Sequence, residues 1–498
     1  MTVEISARQI LQDAQVSDLA SRADIRSLRT FAIAAGLCWS VLFIVGGLGY
    51  QLQLYGDGSM FSYSIAVEDA WAFHWHNIPG RLFTYLYATL PAETYVHLTS
   101  DAHGGILVHG CLFFAAQLFG LIATFAADHS KGRIIGGYAC ASTACLCPLV
   151  FGFPTEMWMA HALFWPTLAL CHYAPPGIGG MLAVFAALLA LVFTYDGALV
   201  FAVAIVATLL ARGLWNPAFI RTGAILLAVA SIWIVVREAF PPDNYDAAVL
   251  ARAASHVLDP TIFTTGLALL LFCALASYGI VFAILQRLKP ADDFAYATVL
   301  VAAGLAAYWL WFDHALHAEN RYYMRTVLLM AVPVLGGLAT AYAHRSDGDF
   351  ALAIPVVPRL LSVFASGVAV RAVAGVLLLV TLVHAVETAK FVTAWTHYKA
   401  AVRALAMGAA SDPALGDARF VSSARIGADL NRLSWFSTTP FLSVLVAPNF
   451  APLRLVIDPR TNNYFWLTCE TATASEMAAR ATPVDGRRLV RIHACLHR

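Results

Sequence analysis

The chain has 498 residues, 60% of them hydrophobic and 12% charged, with a formal net charge of +1 and a mean hydropathy of +0.70. A soluble domain carries about twice that charged fraction. These values exclude a soluble globular enzyme, a disordered chain and a nucleic-acid binder driven by bulk positive charge. The apolar residues run in long blocks rather than short alternations, which predicts an α-helical polytopic membrane protein and not an outer-membrane barrel.

Residues 1–29 are polar, and Arg22, Arg26 and Arg29 precede the first apolar run. No signal-peptide cleavage pattern follows, so the first span is expected to be retained. At roughly twenty residues per crossing, about 11 spans are predicted: 30–52, 105–127, 133–152, 155–173, 178–195, 197–211, 219–238, 262–286, 294–312, 323–343 and 367–387. The split at Tyr195-Asp196-Gly197 is the weakest, because the apolar runs on either side nearly join.

An odd span count places the termini on opposite sides. With the N-terminus inside, Lys131, Arg133, Arg212, Arg221, Arg287, Lys289, His344 and Arg345 fall in inner loops, whereas the short outer loops 153–155 and 196–197 carry no Lys or Arg. This is the positive-inside pattern. The expected organisation is a cytoplasmic segment 1–29, a transmembrane domain 30–387 and a small periplasmic α/β domain 388–498 in a bacterial inner membrane. That last domain combines a helix near 390–409 with strand-like runs at 453–457, 464–467 and 489–492. The first periplasmic loop, 53–104, is rich in Trp, Phe and Tyr and predicts interfacial helices.

The nine cysteines are too scattered for a disulfide framework, and Cys145-Leu-Cys147 lacks further ligands nearby. Cys469 and Cys495 lie in the polar tail. A bridge between them in an oxidising compartment would stabilise the tail by about 3 kcal/mol.

Ionisable groups are costly near a membrane, so their positions carry information. Acids, histidines and arginines mix at the outer ends of the spans, while the inner ends hold mostly Lys and Arg. The outer set includes Asp57 in Tyr55-Gly56-Asp57-Gly58-Ser59, Glu68, Asp69, His74, His76, Arg81, Glu156, His161, Asp196 and Arg237. Asp313, His317, Glu319, Arg321 and Tyr322 complete it. Each has a structural alternative. Asp57 is also a turn residue, Glu68-Asp69 also a solvated helix face, and Glu156 and Asp196 also favourable charges at helix starts. The alternating His74/His76 pair lacks a third metal ligand. Arg321 runs against the positive-inside bias, and a guanidinium fork suits phosphate.

No Walker loop, nucleophile elbow, HExxH or Rossmann fingerprint occurs. An outer-face reaction would therefore draw on a donor carried in the membrane. The layout resembles the GT-C superfamily of polyprenyl-phosphate-sugar-dependent glycosyltransferases. The matching features are the inner first helix, Asp57 at the start of a long helical first loop, the outward tail, and Arg321 in Glu319-Asn320-Arg321-Tyr322-Tyr323-Met324-Arg325.

The resemblance implies an inverting transfer from a lipid-phosphate sugar to a glycan, lipid or protein acceptor. Asp57 would be the base, with Glu68, Asp69 and Glu156 as the competing candidates. Arg321, Tyr322, Arg81 and Arg237 would hold the donor phosphate. His74, His76, His161, Asp196, Asp313, His317 and Glu319 would contact acceptor or sugar. No cofactor is required by the sequence; the first-loop site lacks the Asp-Asp pair of metal-dependent members, and a divalent Mg or Mn ion stays open. The alternatives are a transporter or flippase, and an acyl-type transferase using a membrane-buried histidine such as His109 or His161.

Overall fold

The computed structural model describes residues 2–68, 70–71, 79–147, 155–240, 276–277, 279–281, 283–285, 287, 293–311, 321–349, 367–408, 420–435 and 438–457. Helix α1 (Thr2–Gly49) leads into α2 (Asp57–Ala66), which begins the first loop. A turn at Pro79–Arg81, a further turn at Leu82–Thr84 and a π-helical segment at Tyr85–Thr89 run directly into α3 (Leu90–Thr99). The helical body continues with α4 (Ala102–Ala127), α5 (Ile134–Leu146), α6 (Glu156–Tyr173), α7 (Ile178–Val192), α8 (Ala198–Thr208) and α9 (Pro217–Ala239). Three further helices are α10 (Asp293–Trp311), α11 (Arg321–Asp347) and α12 (Gly367–Ala406).

Among the described residues, four helical stretches are long and apolar enough to cross a membrane: Arg26–Gly49, Ala102–Ala127, Pro217–Ala239 and Ala372–Ala406. Shorter apolar helices stand between them. The chain is thus a helical, membrane-embedded protein, and most expected spans coincide with helices. The span 262–286 falls largely outside the described residues.

The expected split at Tyr195-Asp196-Gly197 is present, and one expectation needs revision. The segment 193–197 is a true reversal, since α7 and α8 pack against each other and Ala198 N–H donates to Tyr195 O at 2.8 Å. The last span and the expected tail helix are one continuous 40-residue helix, α12.

Helix α6 is the centre of the body. Both its polar and apolar side chains are buried, among them Trp158, Phe164, Trp165 and Leu168. It packs on α4, α7, α8 and α11. Close approach depends on small residues, as expected where helices associate in lipid. A Cβ at Gly120 of α4 would lie 2.3 Å from the Ala162 carbonyl oxygen of α6, and one at Gly36 of α1 would lie 2.5 Å from the Cys140 carbonyl oxygen of α5.

In the described tail, strand β1 (Phe420–Ser422) pairs in parallel with β2 (Leu455–Ile457), and α13 (Thr439–Leu445) lies against β2 and α2. Val421, Leu442 and Val456 belong to the same buried cluster as Trp395 and Tyr398 of α12 and the helical body. The expected strands at 464–467 and 489–492, and the Cys469/Cys495 pair, lie outside the described residues. Cys140, Cys147 and Cys171 are buried free thiols that pack as small apolar groups.

Candidate functional site

The first loop is pinned to the α7–α8 reversal through main-chain groups. Phe83 N–H donates to Phe193 O at 3.0 Å, and the Thr84 hydroxyl donates to Thr194 O at 3.1 Å. This docking delivers Arg81 to Glu156 at the start of α6, where they form an ion pair at 2.8 Å. Helix α9 ends beside it, and Arg237 pairs with Asp196 at 2.7 Å. All four side chains are nearly enclosed. Arg81 lies over the Tyr195 ring at 5.2 Å, and Arg237 over the Trp233 ring at the same distance.

Gly80 sits between the pairs. A Cβ there would stand 2.7 Å from Asp196 Oδ1 and 3.8 Å from the Arg237 guanidinium carbon. Sequence reading placed these four charged residues on one side of the membrane but gave no reason to join them. The linking residues Gly80, Tyr195 and Trp233 carried no signal beyond composition.

The remaining candidates are distributed more widely. Asp57 is half-buried in the first turn of α2, where the helix dipole favours its charge. Gly56 precedes it with φ 59° and ψ −133°, a conformation that favours glycine. The Ser59 hydroxyl ties this turn to Gly56 O and to Thr438 O of the tail. Glu68 is exposed, adopts a left-handed φ of 54°, and pairs with His97 at 3.1 Å. Arg321 and Tyr322 open α11 at the end of the helix that approaches Gly197 through Leu329; nothing is described of their side chains. Asp69, His74, His76, Asp313, His317 and Glu319 lie outside the described residues.

His161 is not at the ion-pair site. It lies deeper in the body and is fully buried. Gln117 Nε2 donates to Thr143 Oγ1 at 2.8 Å, and Thr143 in turn donates to Ala139 O. The Gln117 carbonyl therefore accepts from His161 Nδ1 at 2.9 Å. That assignment leaves Nε2 as the acceptor for Ser142 Oγ–H at 2.8 Å and for the Trp165 indole N–H at 3.4 Å. Trp158 stacks on the ring at 4.3 Å. With both nitrogens committed, His161 binds α4, α5 and α6 together and has no capacity left for a sugar or acceptor.

The first loop also contains a residue the sequence reading passed over. Glu93 accepts from Ala70 N–H at 3.0 Å and from the Tyr85 hydroxyl at 3.4 Å. Burial, followed by the Glu93 carboxylate, holds the Tyr85 phenol well above its usual range. Burial likewise pushes the Tyr87 phenol up to about 12, so both phenols stay protonated at neutral pH.

The opposite end of the body is more acidic than expected. Asp128 accepts from Ser130 N–H, Ser130 Oγ–H and Gly136 N–H, while Asp347 accepts from Tyr173 O–H and Lys131 N–H. Arg212 pairs with Asp349 at 2.9 Å. His172 joins His344 at 2.9 Å and Thr208 at 2.8 Å. Arg212 is thus matched by an acidic side chain, while Arg133 and Arg221 donate to main-chain carbonyls. Among the described residues no three His, Cys, Asp or Glu side chains gather as a metal site. The chain matches no protein-family model and no curated protein.

Proposed function

We propose that the protein is a membrane-embedded transferase that moves a sugar from a polyprenyl-phosphate donor to an acceptor at the outer face of the membrane. What supports this reading is the gathering of Arg81, Glu156, Asp196 and Arg237 at one end of the helical body by the docked first loop. Burying two arginines and two carboxylates is costly even when they are paired. Four such groups at a helix-bundle end suit chemistry that needs both signs of charge. The arginines would hold the donor phosphate and stabilise it as it leaves, since a guanidinium meets phosphate bidentately. A carboxylate would orient and deprotonate the acceptor hydroxyl.

Glu156 is the preferred base because it is fully buried inside the site. Asp57 is the second choice, one helical turn before Phe61, whose ring lies 6.4 Å from His109 near Glu156. In this reading about 11 spans cross the membrane, the N-terminus is cytoplasmic and the tail is periplasmic. Arg321 and Tyr322 open α11 at the same end and would extend the phosphate contacts. A divalent ion remains compatible with the reading.

A second reading, a transporter or flippase, is favoured by the buried ionisable groups along α6. Glu156, His161 and His172 lead from one polar end to the other.

One preparation separates the two. Full-length protein in liposomes is given radiolabelled polyprenyl-phosphate sugar together with mixed glycan and lipid acceptors. The transferase reading expects label in the acceptor, and Glu156→Gln should lower turnover by about 10²-fold or more. Label that crosses the bilayer still attached to its donor would replace this reading with transport.

A further inference from the structure

A patch of unsatisfied polarity lies against the ion-pair site. His109 of α4 is 1% exposed, and the groups acting on its ring are the Ala88 main chain and the Glu156 carboxylate. One ring nitrogen faces the Ala88 main chain, and neither meets a hydrogen-bonding side chain among the described residues. Gln53 packs on the neighbouring Gly110, its side chain 3.1 Å from where a Cβ would stand, and its Oε1 is likewise buried and unmatched. Tyr87 and Thr89 flank Ala88 in the π-helical segment, and their hydroxyls are also buried without a described partner. Buried polar atoms in native proteins nearly always have partners, and π-helical turns concentrate at functional sites.

The chemistry of these groups selects the ligand. All are neutral at physiological pH or accept hydrogen bonds. An anion would find few donors here. A group that both donates and accepts fits: a hydroxyl can give its proton to Gln53 Oε1 or to the free nitrogen of His109, and accept from Tyr87 O–H. Phe61 and Phe113, with rings 6.4 and 5.7 Å from His109, supply apolar surface for a ring's C–H face.

We infer that His109, with Gln53 and Tyr87, forms a subsite that binds the hydroxyls of a sugar ring. It deepens the transferase reading, on which the identity of the sugar's carrier rests.

The test uses full-length protein in lipid nanodiscs and three kinds of probe: farnesyl phosphate, farnesyl-phosphoryl sugars, and neutral farnesyl glycosides. The sugars are glucose, mannose, galactose and arabinose. At least one phosphoryl sugar should bind wild type about tenfold more tightly than farnesyl phosphate, the scale of one or two hydrogen bonds. His109→Phe and Gln53→Leu should each abolish that preference and leave farnesyl phosphate affinity unchanged. If His109→Phe does not fold, Gln53→Leu carries the comparison.

Should no phosphate-bearing probe bind, the transferase reading fails while the subsite is still tested. Tighter binding of a neutral glycoside than of farnesol, lost in the variants, would uphold it. The inference is overturned if no sugar-bearing probe outbinds its sugar-free counterpart, or if the folded variants keep the preference.

Discussion

Single residues show how the cost of buried polarity is met. Removing one partner of a buried ion pair leaves the other charge uncompensated, whereas replacing both with apolar groups is often tolerated. Arg81→Met should therefore destabilise the protein by about 3–5 kcal/mol, while Arg81→Met combined with Glu156→Leu should recover most of the loss. Thermal unfolding in detergent measures both, and equal melting temperatures for the single and double variants would show that the pair does not carry the local stability. Activity should be absent from both. His161 makes the contrasting case. His161→Phe keeps the stack on Trp158 but strands the Gln117 carbonyl and the Ser142 hydroxyl. A loss of about 1–3 kcal/mol should follow. Molecules that fold should retain transfer activity, and a dead but fully stable His161→Phe would return this histidine to the site.

At the scale of elements, the helices are held by backbone approach as much as by apolar area. Gly120 illustrates this, because the atom its Cβ would strike is a main-chain oxygen of α6, which no rotamer change can move. Gly120→Ala should cost about 1–3 kcal/mol, as overpacking does, and a lowered midpoint in a thermal aggregation assay would register it. Gly49, which has open space around it, is the control: Gly49→Ala should leave the midpoint unchanged. The same logic governs the site. Pro79–Arg81 can lie against Asp196 only because position 80 lacks a side chain, so Gly80→Ala should separate the loop from the reversal and lower activity with little loss of global stability. Transfer rate and melting temperature, measured together, decide this.

For the whole molecule, the alternation of helix directions places the 79–84, 156, 196 and 237 region at one end and 128–133, 172–175, 209–213 and 344–349 at the other. Orientation in the membrane then follows from one measurement. In a background lacking the native cysteines, Ala424→Cys in the exposed tail should react with an impermeant thiol reagent in intact spheroplasts. Lys131→Cys, exposed at the opposite end, should react only after lysis. The reverse pattern would turn the ion-pair site toward the cytoplasm.

Helix positions were legible in the sequence because lipid burial imposes long apolar runs, and because polar residues are admitted mainly where those runs end. The chemical types of the site were legible for the same reason: Arg81, Glu156, Asp196 and Arg237 stand out against an apolar background. Their pairing was not, since partners separated by 75 positions (Arg81 and Glu156) and 41 positions (Asp196 and Arg237) meet where 79–84 docks on 193–196, a contact made by the Phe83 main-chain N–H, the Thr84 hydroxyl and the missing side chain at Gly80. The buried His109 and His161 looked alike in sequence, yet His161 is bonded by the side chains of Gln117 and Ser142 while His109 meets only the Ala88 main chain among the described residues. Sequence determines that a polar group must find a partner; only the tertiary structure decides which one, because partners come from separate helices whose relative rotation is set by small-residue contacts such as Gly120 on Ala162.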